Sequence, residues 1–234
     1  MYGIPYGMYF DPTYVLVIIA FLLTIFASFG VKATFSKYDK VRSSRGITGA
    51  MAARRILDAN GLQQISIEHV GGNLTDHYSP KENVIRLSDA TYNSDSVAAI
   101  GVAAHECGHA VQHKVGYVPI KIRNSIVPVV NIGSSLSMPL FFIGLIFGLT
   151  KLAYLGAILF GLVLVFQLVT LPVEINASHR AMKTLDSMAL LEGDELAGAR
   201  KTLTAAAMTY VASAASTALQ LLRLLMLVNN RRRD

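Results

Sequence analysis

The stretch Ser137-Met138-Pro139-Leu140-Phe141-Phe142-Ile143-Gly144-Leu145-Ile146-Phe147-Gly148-Leu149-Thr150-Lys151-Leu152-Ala153-Tyr154-Leu155-Gly156-Ala157-Ile158-Leu159-Phe160 joins two uncharged runs, 124–150 and 152–173. Only Lys151 separates them. At about 1.5 Å per residue each run can cross a hydrocarbon core of roughly 30 Å. The short junction Phe147-Gly148-Leu149-Thr150-Lys151 predicts a helical hairpin. A buried hairpin in a water-soluble domain is the alternative, and two adjoining runs this long argue against it.

Working outward, residues 12–31 form another uncharged run, with Tyr14-Val15-Leu16-Val17-Ile18-Ile19-Ala20-Phe21-Leu22-Leu23 inside it. No Lys or Arg precedes it and it is long for a signal sequence, so a retained transmembrane helix is expected. Residues 202–222 are also uncharged, and Arg223 interrupts their continuation to Val228. This run is helical, but whether it spans the membrane or lies against the protein stays open. As a span it would carry Arg231-Arg232-Arg233 to the outer side.

Composition agrees with lipid as part of the solvent. Charged residues are 15% of the 234 and hydrophobic residues 53%, whereas soluble domains carry about a quarter charged residues. The net charge of +6 is explained by cations flanking apolar spans, and no nucleic-acid partner is needed. Lys32, Lys37, Lys40, Arg42 and Arg45 follow the first run; Lys114, Lys121 and Arg123 precede the second; His179, Arg180 and Lys183 follow the third. The positive-inside rule then puts the amino terminus outside and 32–122 and 174–200 in the cytoplasm. The one cysteine, Cys107, excludes an intramolecular disulfide and a CxxC metal site. It reads as a small apolar residue, with a regulatory thiol as the alternative.

Segment 46–118 reads as a small folded unit. Thr48 could cap a helix through Ala50–Leu57, with Gly61 ending it. Ile65–Val70 alternates as a strand, Gly71-Gly72-Asn73 is a turn, and Asp76-His77-Tyr78-Ser79-Pro80 reads as a polar loop. Val84–Ser88 is a second strand, and Ser94 or Asp95 opens the next helix.

That helix carries His105-Glu106-Cys107-Gly108-His109, an H-E-x-x-H pattern. Residues four apart share a helix face, so two imidazoles can meet one zinc ion while Glu106 reaches a water. Zinc would acidify that water and polarise a carbonyl, and Glu106 would shuttle the proton. The bland alternative is a polar helix face with satisfied histidines.

A catalytic zinc needs a third protein ligand. His113 lies eight residues from His105, about 12 Å along the axis, and is too far. His69 and His77 are upstream candidates better suited to the surface or to outer support. Glu174 is the stronger candidate, because a carboxylate directly after 22 uncharged residues is costly near lipid unless partnered. An ordinary interfacial carboxylate is the alternative. For the oxyanion, His179, Arg180, His77 and Tyr210 are the candidates, and the sequence does not choose among them.

The order His105-Glu106-x-x-His109, membrane hairpin, Glu174-x-x-Ala177-Ser178 resembles the gluzincin arrangement of membrane proteases. It is broadly similar to the bacterial heat-shock protease HtpX and to the CAAX-processing proteases, which carry an Asp where this chain has Ser178. The closer resemblance is to the YugP-like family of bacterial neutral zinc metallopeptidases. It covers Asp76-His77-Tyr78-x-Pro80, Val84–Ser88, Gly101–Glu106 and Pro172-Val173-Glu174. The resemblance implies one zinc per chain on His105, His109 and Glu174, with Glu106 as catalytic acid/base. It implies protein or peptide substrates and a multi-pass bacterial plasma-membrane location. It also suggests that a strand such as Asn83–Ser88 offers its edge to substrate, an ordinary sheet strand being the alternative.

The expected fold is a mainly α membrane protein with three to four transmembrane helices and a small α+β cytoplasmic zincin-like catalytic unit. Its parts would be 1–31 with the first span, 32–123 as the catalytic unit, 124–173 as the hairpin, 174–201 with the third ligand, and 202–234 as a membrane helix and basic tail. A non-catalytic membrane scaffold and a zinc-stabilised transport component are the rival functions. A membrane regulatory partner or a homo-oligomer is compatible with the sequence, but no residue names one.

Overall fold

The computed structural model describes residues 11–230; the first ten residues and the Arg231-Arg232-Arg233 tail lie outside the described residues. The elements are α1 (Tyr14–Tyr38), α2 (Gly49–Ala59), β1 (Ser66–Val70), β2 (His77–Ser79), β3 (Val84–Ser88), α3 (Val97–Lys114), α4 (Val118–Ile146), α5 (Thr150–Ser187) and α6 (Gly193–Asn230). Four of them, α1, α4, α5 and α6, are long and apolar enough to cross a membrane. The chain is a mainly α membrane protein with a small α+β unit.

The hairpin forms where the sequence places it. Gly148 turns the chain at φ +68°, a conformation that side chains rarely adopt. Glycines then let α4 and α5 touch backbone to backbone: a Cβ on Gly144 would lie 2.3 Å from Ala153 N, and one on Gly156 would lie 2.5 Å from Phe141 N. Ile132, Phe142, Ile146, Ile158 and Leu168 stay exposed on the outside, as lipid-facing residues should.

Helix α6 lies antiparallel to α1 along its whole length. Gly198 sits against Tyr38 at one end. In the middle, Ser216 Oγ donates to the Ala20 carbonyl at 2.8 Å. At the far end Arg223 donates to Thr13 Oγ1 at 3.3 Å, lies 3.9 Å from Asp11 and stacks over the Tyr14 ring at 4.6 Å. The cation inside the last apolar run therefore has partners. Because α1 and α6 share both ends, any layer that α1 crosses is one that α6 also crosses.

The polar unit follows its local signals. Thr48 Oγ1 accepts from Met51 N, and Gly61 adopts φ +62° after α2. The cap of α3 is Ser96, not Ser94 or Asp95: its Oγ accepts from Ala99 N at 3.1 Å. Asp95 instead pairs with Arg42, and Ser94 Oγ bonds Ser96 Oγ. The sheet order is β1-β3-β2, with β1 parallel and β2 antiparallel to β3. Two expectations change here. The stretch read as a polar loop contains strand β2, because His77–Ser79 pairs with Val84–Arg86. Strand β3 is consequently central, with Val84, Ile85, Leu87 and Ser88 buried; Val84–Arg86 have strands on both sides, and only Leu87 and Ser88 extend past β2. The core joins Ile56, Leu57, Ile85, Leu87 and Ile100 to Leu185 and Leu191 from the α5–α6 corner, tying the unit to the membrane helices.

Candidate metal centre

Helix α3 puts His105 and His109 one turn apart, with ring centroids separated by 4.7 Å. Helix α5 runs unbroken across residue 174 and brings Glu174 to them. Glu174 Oε2 lies 3.3 Å from His105 Nε2 and 3.5 Å from His109 Nε2. One ligand atom from each of the three lies within 4.8 Å of the others. Glu174 is only 4% exposed, so its charge is held by these partners rather than by water.

The rings are held from behind. With the proton on Nδ1, His105 donates to Ser178 Oγ at 3.1 Å and His109 donates to Gln112 Oε1 at 3.1 Å. Both Nε2 lone pairs then face the shared point, the usual arrangement behind a metal-binding histidine. Gln112 is fully buried; its Nε2 donates to the Val173 carbonyl at 2.7 Å and to Asn176 Oδ1 at 3.1 Å. The same α5 segment thus supplies Glu174, the support for His105 and the anchor for Gln112. Burial disfavours charge on His109, yet the bond to Glu174 and the Glu106 and Glu174 charges outweigh it and raise its pKa. A metal taking that nitrogen must displace a proton.

Two imidazole nitrogens and one carboxylate oxygen suit zinc. Among the described residues the cluster has three donors. That is the count of an open catalytic site, not of a closed four-donor structural one.

The centre lies in a cavity of about 280 Å³. Its walls include Val102 and the nearly buried Glu106 from α3, Val31 from α1, and Leu203, Ala206 and Tyr210 from α6. Leu74 and Asp76 close another side. Asp76 is fixed there because it accepts from Ser88 N at 2.8 Å and from Ser88 Oγ at 2.9 Å.

Of the four oxyanion candidates, Tyr210 lines this cavity. His77 is elsewhere, bonding the Thr75 carbonyl through Nδ1 at 2.8 Å. His179 is exposed on α5. Arg180 donates to Asn176 Oδ1 at 2.7 Å and lines a separate cavity behind α3, with Ile56 and Asn60. His113 stacks edge-on against Tyr78, and His69 pairs with Asp89.

Sequence reasoning missed Arg123, whose Nη1 lies 3.7 Å from Glu174 Oε1. It also missed Gln112 and the support that Ser178 gives His105. Gln112 carried a usable signal: three residues after His109 on a helix, it shares that residue's face. Arg123 carried none, because it sits at the start of α4 and meets Glu174 only through the tertiary fold.

Residues 13–229 match the protein family described as "Putative neutral zinc metallopeptidase". The chain is 48% identical over 217 residues to "Putative membrane protease YugP" of Bacillus subtilis (strain 168), covering 93% of this chain and 96% of that protein. No solved structure matches it. With the family match spanning nearly the whole chain and His105, His109 and Glu174 brought together as a set that could hold a metal, this chain belongs to the neutral zinc metallopeptidase family that the match describes.

Proposed function

We propose that the chain is a gluzincin-type, zinc-dependent endopeptidase that cuts membrane or misfolded proteins at the cytoplasmic surface of a bacterial plasma membrane. The observation that carries this reading is the convergence of His105, His109 and Glu174 in a cavity that also holds Glu106 and is walled by the membrane helices α1 and α6. One zinc ion, held by those three residues, would supply Lewis-acid polarisation of the scissile carbonyl and acidify water.

Glu106 accepts a proton from the attacking water, whose oxygen bonds the carbonyl carbon. The C–N bond then breaks, and Glu106 returns the proton to the leaving amine. Tyr210 donates a hydrogen bond to the oxygen that gains charge. Arg123 balances the Glu174 carboxylate from its other oxygen.

The proposed topology has four spans, both termini outside and the catalytic face inside. The cations after α1 and before α4 support it, and the shared ends of α1 and α6 extend it to the last helix. The outward apolar face of α4 leaves room for a regulatory membrane partner or a second copy, and the chemistry needs neither.

The test is Glu106→Gln in the full chain. It should retain wild-type zinc content and lose cleavage of an unfolded protein substrate by a factor of about 10²–10⁴. Undiminished cleavage would remove Glu106 from the mechanism.

A further inference from the structure

We propose that the basic recess between α1 and α6 binds the phosphate headgroup of an anionic phospholipid. The recess, about 460 Å³, lies away from the metal centre and is lined by Thr34, Lys37 and Tyr38 of α1 and by Arg200, Lys201 and Thr204 of α6. None of its three cations has a carboxylate within 4.0 Å among the described residues. Arg42, Arg45, Arg54 and Arg86 each meet an acidic partner, whereas Lys40, Arg55 and Lys81 show none among the described residues; what sets the recess apart is that three such cations line one space.

The hydroxyls repeat this contrast. Thr24, Thr202 and Thr209 on the same two helices bond back to the Ala20, Gly198 and Ala206 carbonyls. Thr34 and Thr204 make no such bond among the described residues. Three cations without a carboxylate partner among the described residues, one of them (Lys37) resting over the Tyr38 ring at 5.5 Å, and two unengaged hydroxyls therefore surround one space, a donor set that matches a phosphate monoanion.

Position identifies which phosphate. The recess sits at the end of α1, where its lipid-facing stretch, with exposed Phe21, Phe26 and Phe29, gives way to the polar unit. Tyr38 and Ala205 give the recess an apolar floor. A headgroup would meet the cations while its acyl chains run along α1. Free phosphate would use the cations and leave the floor empty. Basic pockets between membrane helices at the interface recognise anionic headgroups in this way. The next residues of α6 after Arg200 and Lys201 include Leu203 and Ala206, which line the metal-centre cavity, so an occupant would hold α6 to α1 beside it. The lipid site itself does not depend on the peptidase reading.

Native mass spectrometry of the full chain in detergent tests this, with phosphatidylglycerol and phosphatidylcholine supplied equally. Wild type should retain phosphatidylglycerol preferentially. Removing one cation should weaken retention about fivefold, and Lys37→Gln/Arg200→Gln/Lys201→Gln together about a hundredfold. Lys151→Gln, at the hairpin turn, should change nothing. Circular dichroism monitors the fold of each variant, and Arg200→Gln alone serves if the triple variant fails to fold. Equal uptake of the two lipids, undiminished phosphatidylglycerol on a folded variant, or its displacement by millimolar inorganic phosphate would each overturn the proposal.

Discussion

A Cβ on Gly108 would lie 2.5 Å from the carbonyl oxygen of Ala177. The second variable position of the H-E-x-x-H pattern is thus where α3 and α5 meet backbone to backbone, one helical turn from Glu174. Gly108→Ala must push α5 outward and carry Glu174 away from the histidines. We expect a loss of about 1–3 kcal/mol in stability and a clear fall in zinc affinity. Gly101→Ala is the control, because its Cβ would meet Ala199 Cβ at an ordinary 3.4 Å. Metal analysis and thermal unfolding should separate the two; equal zinc content in both would show that the close approach does not position the carboxylate.

Supports behind the proposed ligands should matter almost as much as His105 and His109 themselves. Gln112→Ala removes the acceptor for His109 and a buried tie to Val173. Ser178→Ala removes the acceptor for His105. Each should weaken zinc binding by about 10–100-fold, measured by competition with a chelating dye. Ser178→Asp supplies a stronger acceptor at the same place and should bind at least as well as wild type. Weaker binding by that variant would mean that the position is read by size and not by hydrogen bonding.

Tyr210 reaches the cavity from α6, a helix that contributes no residue to the His105–His109–Glu174 cluster. Tyr210→Phe keeps the ring and removes the donor. If the phenol stabilises the developing oxyanion, kcat should fall about 10²–10³-fold while KM changes little, measured on fully zinc-loaded protein because the same hydroxyl also bonds Glu174. A rise in KM alone would assign Tyr210 to substrate binding.

Three of the four membrane helices and the H-E-x-x-H face were legible because each depends on a local pattern: uncharged length for one, i, i+4 spacing for the other; the fourth read as a helix without deciding whether it spans. Glu174 was legible through the cost of a carboxylate at the end of an apolar run. What escaped depended on long-range contact. The strand at His77–Ser79 has only three residues and gains its form by pairing with β3, so it read as a loop. That pairing also flanks Val84–Arg86 of β3 on their second side, which local sequence cannot reveal. Arg223 looked like a break in a span, because Asp11, Thr13 and Tyr14, its partners, lie some 210 positions earlier in the chain.

Cys107 should be chemically silent despite its place between the two histidines proposed to bind the metal. It is fully buried, its Sγ donates to the Ala53 carbonyl at 3.6 Å, and burial pushes the thiol above its ordinary range. Maleimide should label the native protein negligibly and the denatured protein stoichiometrically, read by mass spectrometry. Rapid labelling of folded protein would show that α3 opens to solvent.

That silence makes the chain suited to mapping its own topology. Engineered cysteines at Lys40, just after α1, and at Asn229, near the end of α6, should report from opposite faces of the membrane. The reason is the pairing of Tyr38 with Gly198 at one end and of Thr13 with Arg223 at the other, which gives the two helices equal reach. A membrane-impermeant maleimide applied to intact cells should label Asn229→Cys and spare Lys40→Cys until the membrane is opened. Labelling both from outside would contradict a crossing by α6. Labelling only Lys40→Cys would leave four spans intact but reverse the orientation, moving the metal centre to the outer face.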